Sequence, residues 1–245
     1  SGSAFNFFKI VSSIIDKIKL KGHRKMKKNG KRFLLSGAAF LGAFVLWTLL
    51  IQIVDVQPVG QNGTDIGFAA FNSWFHKLIG VHMTIYTITD WLGLVPLFVC
   101  IGFGVLGLCQ LIKRRSLLKV DCDIIVLGIY YILVIIGYAV FEMIPVNYRP
   151  VLINGIMEAS YPSSTTLLVL SVMPTLAEQM NRRLKNTSAK RIICVLTVAF
   201  SAFMVIGRLI SGVHWFTDII GGVLLSVGLF CMYKAFVLLC EKKKS

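Results

Sequence analysis

The chain has 245 residues, 56% of them hydrophobic and 15% charged, with a mean hydropathy of +0.76 and a net charge of +15. Its apolar content far exceeds what a soluble core of this length needs, which excludes an ordinary water-soluble domain and implies a membrane solvent. In a soluble protein the basic excess would point to nucleic acid, but here it is divided among four short segments, so no nucleic-acid partner is expected.

Residues 4–20 (AFNFFKIVSSIIDKIKL) carry apolar positions at helical spacing and lead into HRKMKKNGKR. This pattern predicts an amphipathic helix on the cytoplasmic leaflet, its basic tail facing anionic lipid. No cleavable signal peptide is expected, because the first long apolar run is already of membrane length. Six such runs follow, at about 33–54, 91–112, 123–143, 163–180, 192–210 and 216–239. Each approaches the roughly 20 residues that cross the hydrocarbon layer. The expected fold is therefore all-α: an N-terminal basic segment over 1–31, then one six-helix integral membrane bundle over 32–245. The fourth run opens with Ser163-Ser164-Thr165-Thr166 and contains Pro174. A polar entrance of that kind is tolerated in a span where it lines a wet cavity.

Lys and Arg crowd into 9–32, 113–119, 182–191 and 234–244, leaving only Lys77, Arg149 and Arg208 of the 26 elsewhere. If the helices alternate direction, those four segments share one side, which the positive-inside rule makes cytoplasmic, with both termini there. The loops around 55–90, 144–162 and 211–215 then lie outside. The six cysteines have no metal-ligand spacing and are expected as small packing residues. Gly102, Gly104 and Gly107 are expected to permit close helix approach.

The outer side gathers the residues that carry chemistry. Gly207-Arg208-Leu-Ile-Ser-Gly-Val-His214-Trp-Phe-Thr-Asp218 joins the fifth run to the sixth. His214 and Asp218 are four apart, so on a helix Asp218 accepts a hydrogen bond from one imidazole nitrogen and leaves the other as nucleophile or base. An aspartate inside an apolar helix is costly unless paired. Tyr148-Arg149-Pro150 follows the third run, and Tyr161-Pro162-Ser163-Ser164-Thr165-Thr166 opens the fourth. Pro162 suits a first helical turn, so the hydroxyls and free N–H groups beyond it offer an anion site. Two guanidiniums, Arg149 and Arg208, complete a phosphate clamp with Ser163, Ser164 and Thr165. A structural ion pair and a simple helix cap are the bland readings of these features taken singly. No metal or organic cofactor is suggested, since His214 and Asp218 supply too few ligands. A channel is not suggested either, for want of polar rings through several spans.

These residues resemble the membrane-bound type-2 phosphatidic acid phosphatase superfamily, whose three signatures are a Lys-spaced Arg-Pro, a Pro-Ser-Gly-His, and an Arg followed by His and then Asp at fixed spacing. Arg208, His214 and Asp218 match the third, although Gly207 replaces the Ser that commonly precedes the Arg. Arg149-Pro150 matches the end of the first signature and Pro162-Ser163 the start of the second. The resemblance implies that His214 attacks phosphorus to give a phosphohistidine, that Asp218 orients it, and that the arginines hold phosphate oxygens. The family's Lys falls on Glu142, its second-signature His on Thr165 and its Gly on Ser164.

Without that His as general acid, expulsion of an alkoxide should slow by about 10²–10⁴-fold. A pyrophosphate suffers less, because its leaving phosphate has a second pKa of about 6. The expectation is hydrolysis of a lipid phosphate, foremost a polyprenyl pyrophosphate such as undecaprenyl pyrophosphate, at the outer face of a bacterial plasma membrane. Glu158 and His82 are the candidate substitute acids. The rival expectation is a relative that has lost hydrolysis and binds or moves phosphorylated lipids.

Overall fold

A computed structural model describes residues 28–240 of the chain. The interfacial helix expected over 4–20 lies outside the described residues, as does all of the 1–31 segment before residue 28. The described residues belong to eight α-helices and their connections: α1 (Gly2–Ile53), α2 (Ala69–Ile79), α3 (Met83–Leu92), α4 (Leu94–Arg114), α5 (Cys122–Met143), α6 (Ser164–Arg183), α7 (Thr187–Ile210) and α8 (Phe216–Cys240). Among the described residues no strand forms, only isolated bridges such as Tyr148 with Ala159.

Among the described residues five stretches are long and apolar enough to cross a membrane: Lys28–Ile53, Met83–Arg114, Cys122–Met143, Thr187–Ile210 and Phe216–Cys240. The helix expected over 163–180 is present as α6, yet its composition does not qualify it as a sixth apolar span. The reason lies in its surroundings. α6 packs against α4, α5, α7 and α8, and Thr165, Thr166, Ser171, Thr175 and Gln179 are buried against protein rather than lipid. A helix enclosed in this way needs no apolar circumference.

The second expected span begins earlier than residue 91. α3 and α4 form one apolar stretch, Met83–Arg114, interrupted only at Gly93. Its 32 residues exceed the hydrocarbon thickness, so part of α3 extends beyond it. The region 55–90 is therefore not a simple loop but carries α2 and most of α3. Threonines at 84, 87 and 89 interrupt the apolar sequence there, which lowers its hydropathy without opposing a helix.

α1 runs antiparallel along α8. Gly37 meets Met232 and the Gly228 carbonyl, Leu41 lies on Gly228, and Trp47 Nε1 donates to the Thr217 carbonyl at 3.1 Å. Of the glycines expected to permit helix approach, Gly102 and Gly104 face open space, and only Gly107 abuts a neighbour, Ile124. The cysteines are likewise not all simple packing residues: Cys122 and Cys240, at the start of α5 and the end of α8, are joined, with Cα atoms 6.3 Å apart.

This arrangement brings the end of α7, the starts of α4, α6 and α8, and the 144–163 loop to one end of the bundle. The clusters at 113–119 and 182–191, with Lys234, occupy the other.

Candidate active site

His214 lies in the short connection between α7 and α8 and is buried. The turn before it needs glycine: Gly212 has φ +68°, and a Cβ there would run into the Gly80 carbonyl. The expected direct bond from His214 to Asp218 is not made, because Nδ1 and Oδ2 stand 3.9 Å apart. Ser160 bridges them instead. Its hydroxyl donates to Asp218 Oδ2 at 2.5 Å and lies 3.0 Å from His214 Nδ1, while its carbonyl lies 3.1 Å from the same nitrogen. A carbonyl only accepts, so Nδ1 carries the proton and Nε2 presents its lone pair. Nε2 is buried and has no hydrogen-bond partner.

Asp218 is fully buried near the start of α8. Its Oδ1 accepts from Asn147 Nδ2 at 3.1 Å and its Oδ2 from the Trp215 backbone N–H at 2.9 Å. The second bond is the reach-back half of a capping box, so one carboxylate both caps α8 and anchors the serine that holds the histidine. Burial is the main force holding the His214 imidazole well below its ordinary pKa, and the nearby positive charges of Arg149 and Arg208 act in the same direction. The ring therefore stays neutral, and so nucleophilic, well below pH 6.5.

Both guanidiniums reach this site. Arg149, from the 144–163 loop, pairs with Glu158 at 3.1 Å, and Arg208, from the last turn of α7, pairs with Asp90 at 3.3 Å. They share the ring of Tyr86, with Cζ atoms 5.9 and 4.8 Å from its centroid. After these contacts Arg149 Nε and Nη1 and Arg208 Nε remain buried without partners. Gly207 now has a reason: a Cβ there would stand 2.7 Å from Thr89 Cγ2, on the helix turn that presents Asp90 to Arg208.

The start of α6 completes the cluster. The Ser163 backbone N–H donates to the Asp218 carbonyl at 3.1 Å, tying the α6 N-terminus to α8, while Ser163 Oγ is buried without a partner. The N–H groups of the first turn of α6 have no partner within the helix, as at any helix start. Ser164 and Thr165 line a cleft of about 390 Å³ whose other walls include Asp90, Leu94, Leu97, Val134 and Leu168, from α3, α4, α5 and α6.

Not every expected residue joins this cluster. His82 is exposed, and its ring donates to the Ile79 carbonyl at 2.9 Å rather than to a residue of the cluster. Glu158 lies close by, but as the acceptor for Arg149 rather than as a proton donor. Glu142, where the family has Lys, is exposed and borders a crevice with Tyr138 and Ser164. Ser160, Asn147, Tyr86 and Asp90 belong to the site and were not expected from the sequence.

The family model of the PAP2 superfamily matches residues 137–241, which hold Asn147, Arg149, Ser160, the start of α6, Arg208, His214 and Asp218 but neither α3 nor α4. No curated protein matches the chain. The crystal structure titled as the first transmembrane PAP2 type phosphatidylglycerolphosphate phosphatase from Bacillus subtilis is similar in fold, with a TM-score of 0.61 and 16% sequence identity. The similarity covers 86% of this chain and 98% of that one. The segment matched by the PAP2 superfamily contains Arg208, His214 and Asp218, and together with the shared multi-helix fold it supports a membrane PAP2 superfamily member.

Proposed function

We propose that this protein hydrolyses a lipid phosphate, foremost a polyprenyl pyrophosphate, through a phosphohistidine on His214. The observation that carries this reading is the buried, unpartnered Nε2 of His214 in a site where three guanidinium nitrogens are also buried and unpartnered. A nucleophile with its lone pair free beside desolvated cationic donors suits a phosphoryl group.

In the first step Nε2 attacks phosphorus, the N–P bond forms, and the bond to the leaving oxygen breaks. The Ser160 carbonyl and hydroxyl, backed by Asp218, stabilise the positive charge that develops on the imidazole. Arg149, Arg208 and the α6 N-terminus hold the equatorial oxygens. In the second step water attacks the phosphohistidine, inorganic phosphate leaves, and the neutral ring returns.

Thr165 replaces the family's general acid, and a hydroxyl of ordinary acidity does not protonate an alkoxide effectively. This favours an anhydride, whose departing phosphate needs little help. The apolar side of the 390 Å³ cleft, which opens from Ser164 and Thr165, suits the hydrocarbon chain of the substrate. The distribution of basic residues supports placing the site on the outer face of a plasma membrane, with both termini inside.

A second reading also has a specific basis. Both clamp arginines already hold carboxylates, and Thr165 removes the acid, so a relative that only binds or moves phosphorylated lipids has support. One assay separates the two: phosphate release by the purified protein from a polyprenyl pyrophosphate and from phosphatidylglycerolphosphate, with His214→Ala as control. The expected result is release from the pyrophosphate that falls by at least about 10⁴-fold in the variant. Binding of both lipids without release from either would sink hydrolysis and favour the second reading.

A further inference from the structure

α2 has two unlike faces. It is 11 residues long, about 16 Å, and too short to cross a membrane. On one face Asn72 is buried, and its side chain grips the segment after His214. Nδ2 donates to Thr217 Oγ1 at 3.0 Å, and Oδ1 accepts from the Thr217 backbone N–H at 3.4 Å. One turn along, His76 Nε2 donates to the Gly212 carbonyl at 3.0 Å, and its ring centroid lies 5.5 Å from that of Trp215. His214 stands between Gly212 and Thr217, so α2 holds the connection on both sides of it. Gly80, which caps α2, lies against Gly212 as well.

The other face is apolar and uncovered. Phe71, Trp74 and Leu78 recur at helical spacing and are 42%, 57% and 66% exposed. Phe71 and Phe75 continue inward onto the ring of Phe216, at centroid distances of 5.2 and 5.0 Å. Phe216 is the first residue of an apolar span, so this face begins at the level where the hydrocarbon begins. Trp91, on the neighbouring Met83–Arg114 span, is 70% exposed at the same end of the bundle, and Lys77 lies beside the stripe. Exposed tryptophans with a flanking lysine, continuous with lipid-facing helices, are the chemistry of the bilayer interface.

We infer that Asn72 and His76 are positioning residues for His214, and that α2 takes its own position from lipid, its Phe71–Trp74–Leu78 face lying in the outer membrane interface. The first half rests on the phosphohistidine reading above; the second does not. The loop that carries the nucleophile is then held from one side by the bundle, through Ser160 and Asp218, and from the other by a helix that belongs to the membrane surface.

The test uses the full chain in vesicles with the pyrophosphate substrate. Asn72→Ala and His76→Ala should lower kcat by about 10–100-fold with KM changed less than about twofold, since misplacing a reacting group by an ångström costs on that order. His76→Gln keeps an N–H that reaches toward the Gly212 carbonyl and should recover most of the rate. The emission lost on Trp74→Phe should be the emission that brominated lipids quench and aqueous iodide does not. Unchanged kcat in both alanine variants, or equal losses in His76→Gln and His76→Ala, would overturn the positioning role. Iodide quenching of Trp74 would overturn the lipid contact, as would shielding from both quenchers together with a cross-linked dimer. A wild-type protein that releases no phosphate defeats the hydrolysis reading and the positioning role with it, while the quenching experiment still decides where α2 lies.

Discussion

Arginines gather at both ends of the bundle, and they are treated differently. At the basic end Arg183 meets Asp123 at 2.9 Å and also Gln179, while Glu178 lies between Arg182, at 2.7 Å, and Lys234. Gln179 in turn donates to Tyr233 at 2.7 Å, and no side-chain nitrogen of Arg182 or Arg183 is both buried and unpartnered. At the site end each guanidinium has a carboxylate too, yet Arg149 keeps two buried nitrogens without partners and Arg208 keeps one. A buried donor left unpaired costs about 1–3 kcal/mol, so an arrangement serving stability alone would resemble the basic end. The surplus of donors, more than the presence of charge, distinguishes a site from a brace.

Three substitutions would break or sharpen this contrast. Asp218→Asn should have the largest effect, because an amide in place of the buried carboxylate loses an acceptor for Ser160, Asn147 or Trp215 and no longer offsets charge on the imidazole. A fall of about 10³–10⁴-fold in kcat is expected in single-turnover phosphate release; a loss under tenfold would reduce Asp218 to a helix cap. Thr165→His comes next. If the missing acid limits the range of substrates, this change should raise turnover of a lipid monophosphate by about 10–100-fold and leave pyrophosphate turnover within a few fold. Equal effects on both substrates would mean that Thr165 does not stand at the leaving group. Arg183→Met, at the opposite end, should have the smallest effect: about 1 kcal/mol less stability in thermal unfolding, with kcat unchanged. A large loss of activity there would show that the two ends are coupled.

How much of this was legible in the sequence depended on the range of the interaction. The bilayer imposes composition on each lipid-facing helix by itself, so the runs ending near 54, 143, 210 and 239 could be seen directly. α6 was visible as a helix but not as a protected one, because its polar residues are explained by neighbours far away in sequence. Arg208, His214 and Asp218 declare themselves by spacing within eleven residues. Ser160 does not: a lone serine two residues before Pro162 carries no local signal, and its partners lie 54 and 58 residues away. Tyr86 and Asp90 were hidden for another reason, in a threonine-interrupted stretch that read as loop. The direct His214–Asp218 bond was expected from i, i+4 helical geometry, but His214 sits before α8 begins, where that geometry does not apply.

The resting pairs Arg149–Glu158 and Arg208–Asp90 have a consequence for turnover. On the function proposed above, a phosphate that enters competes with two tethered carboxylates, and the affinity it gains is the difference between two similar attachments rather than the whole strength of one. The inorganic phosphate left at the end of a cycle meets the same competition. As Glu158 and Asp90 return to their arginines they help to expel it, so a site built from strong anion ligands need not become a trap for its own product.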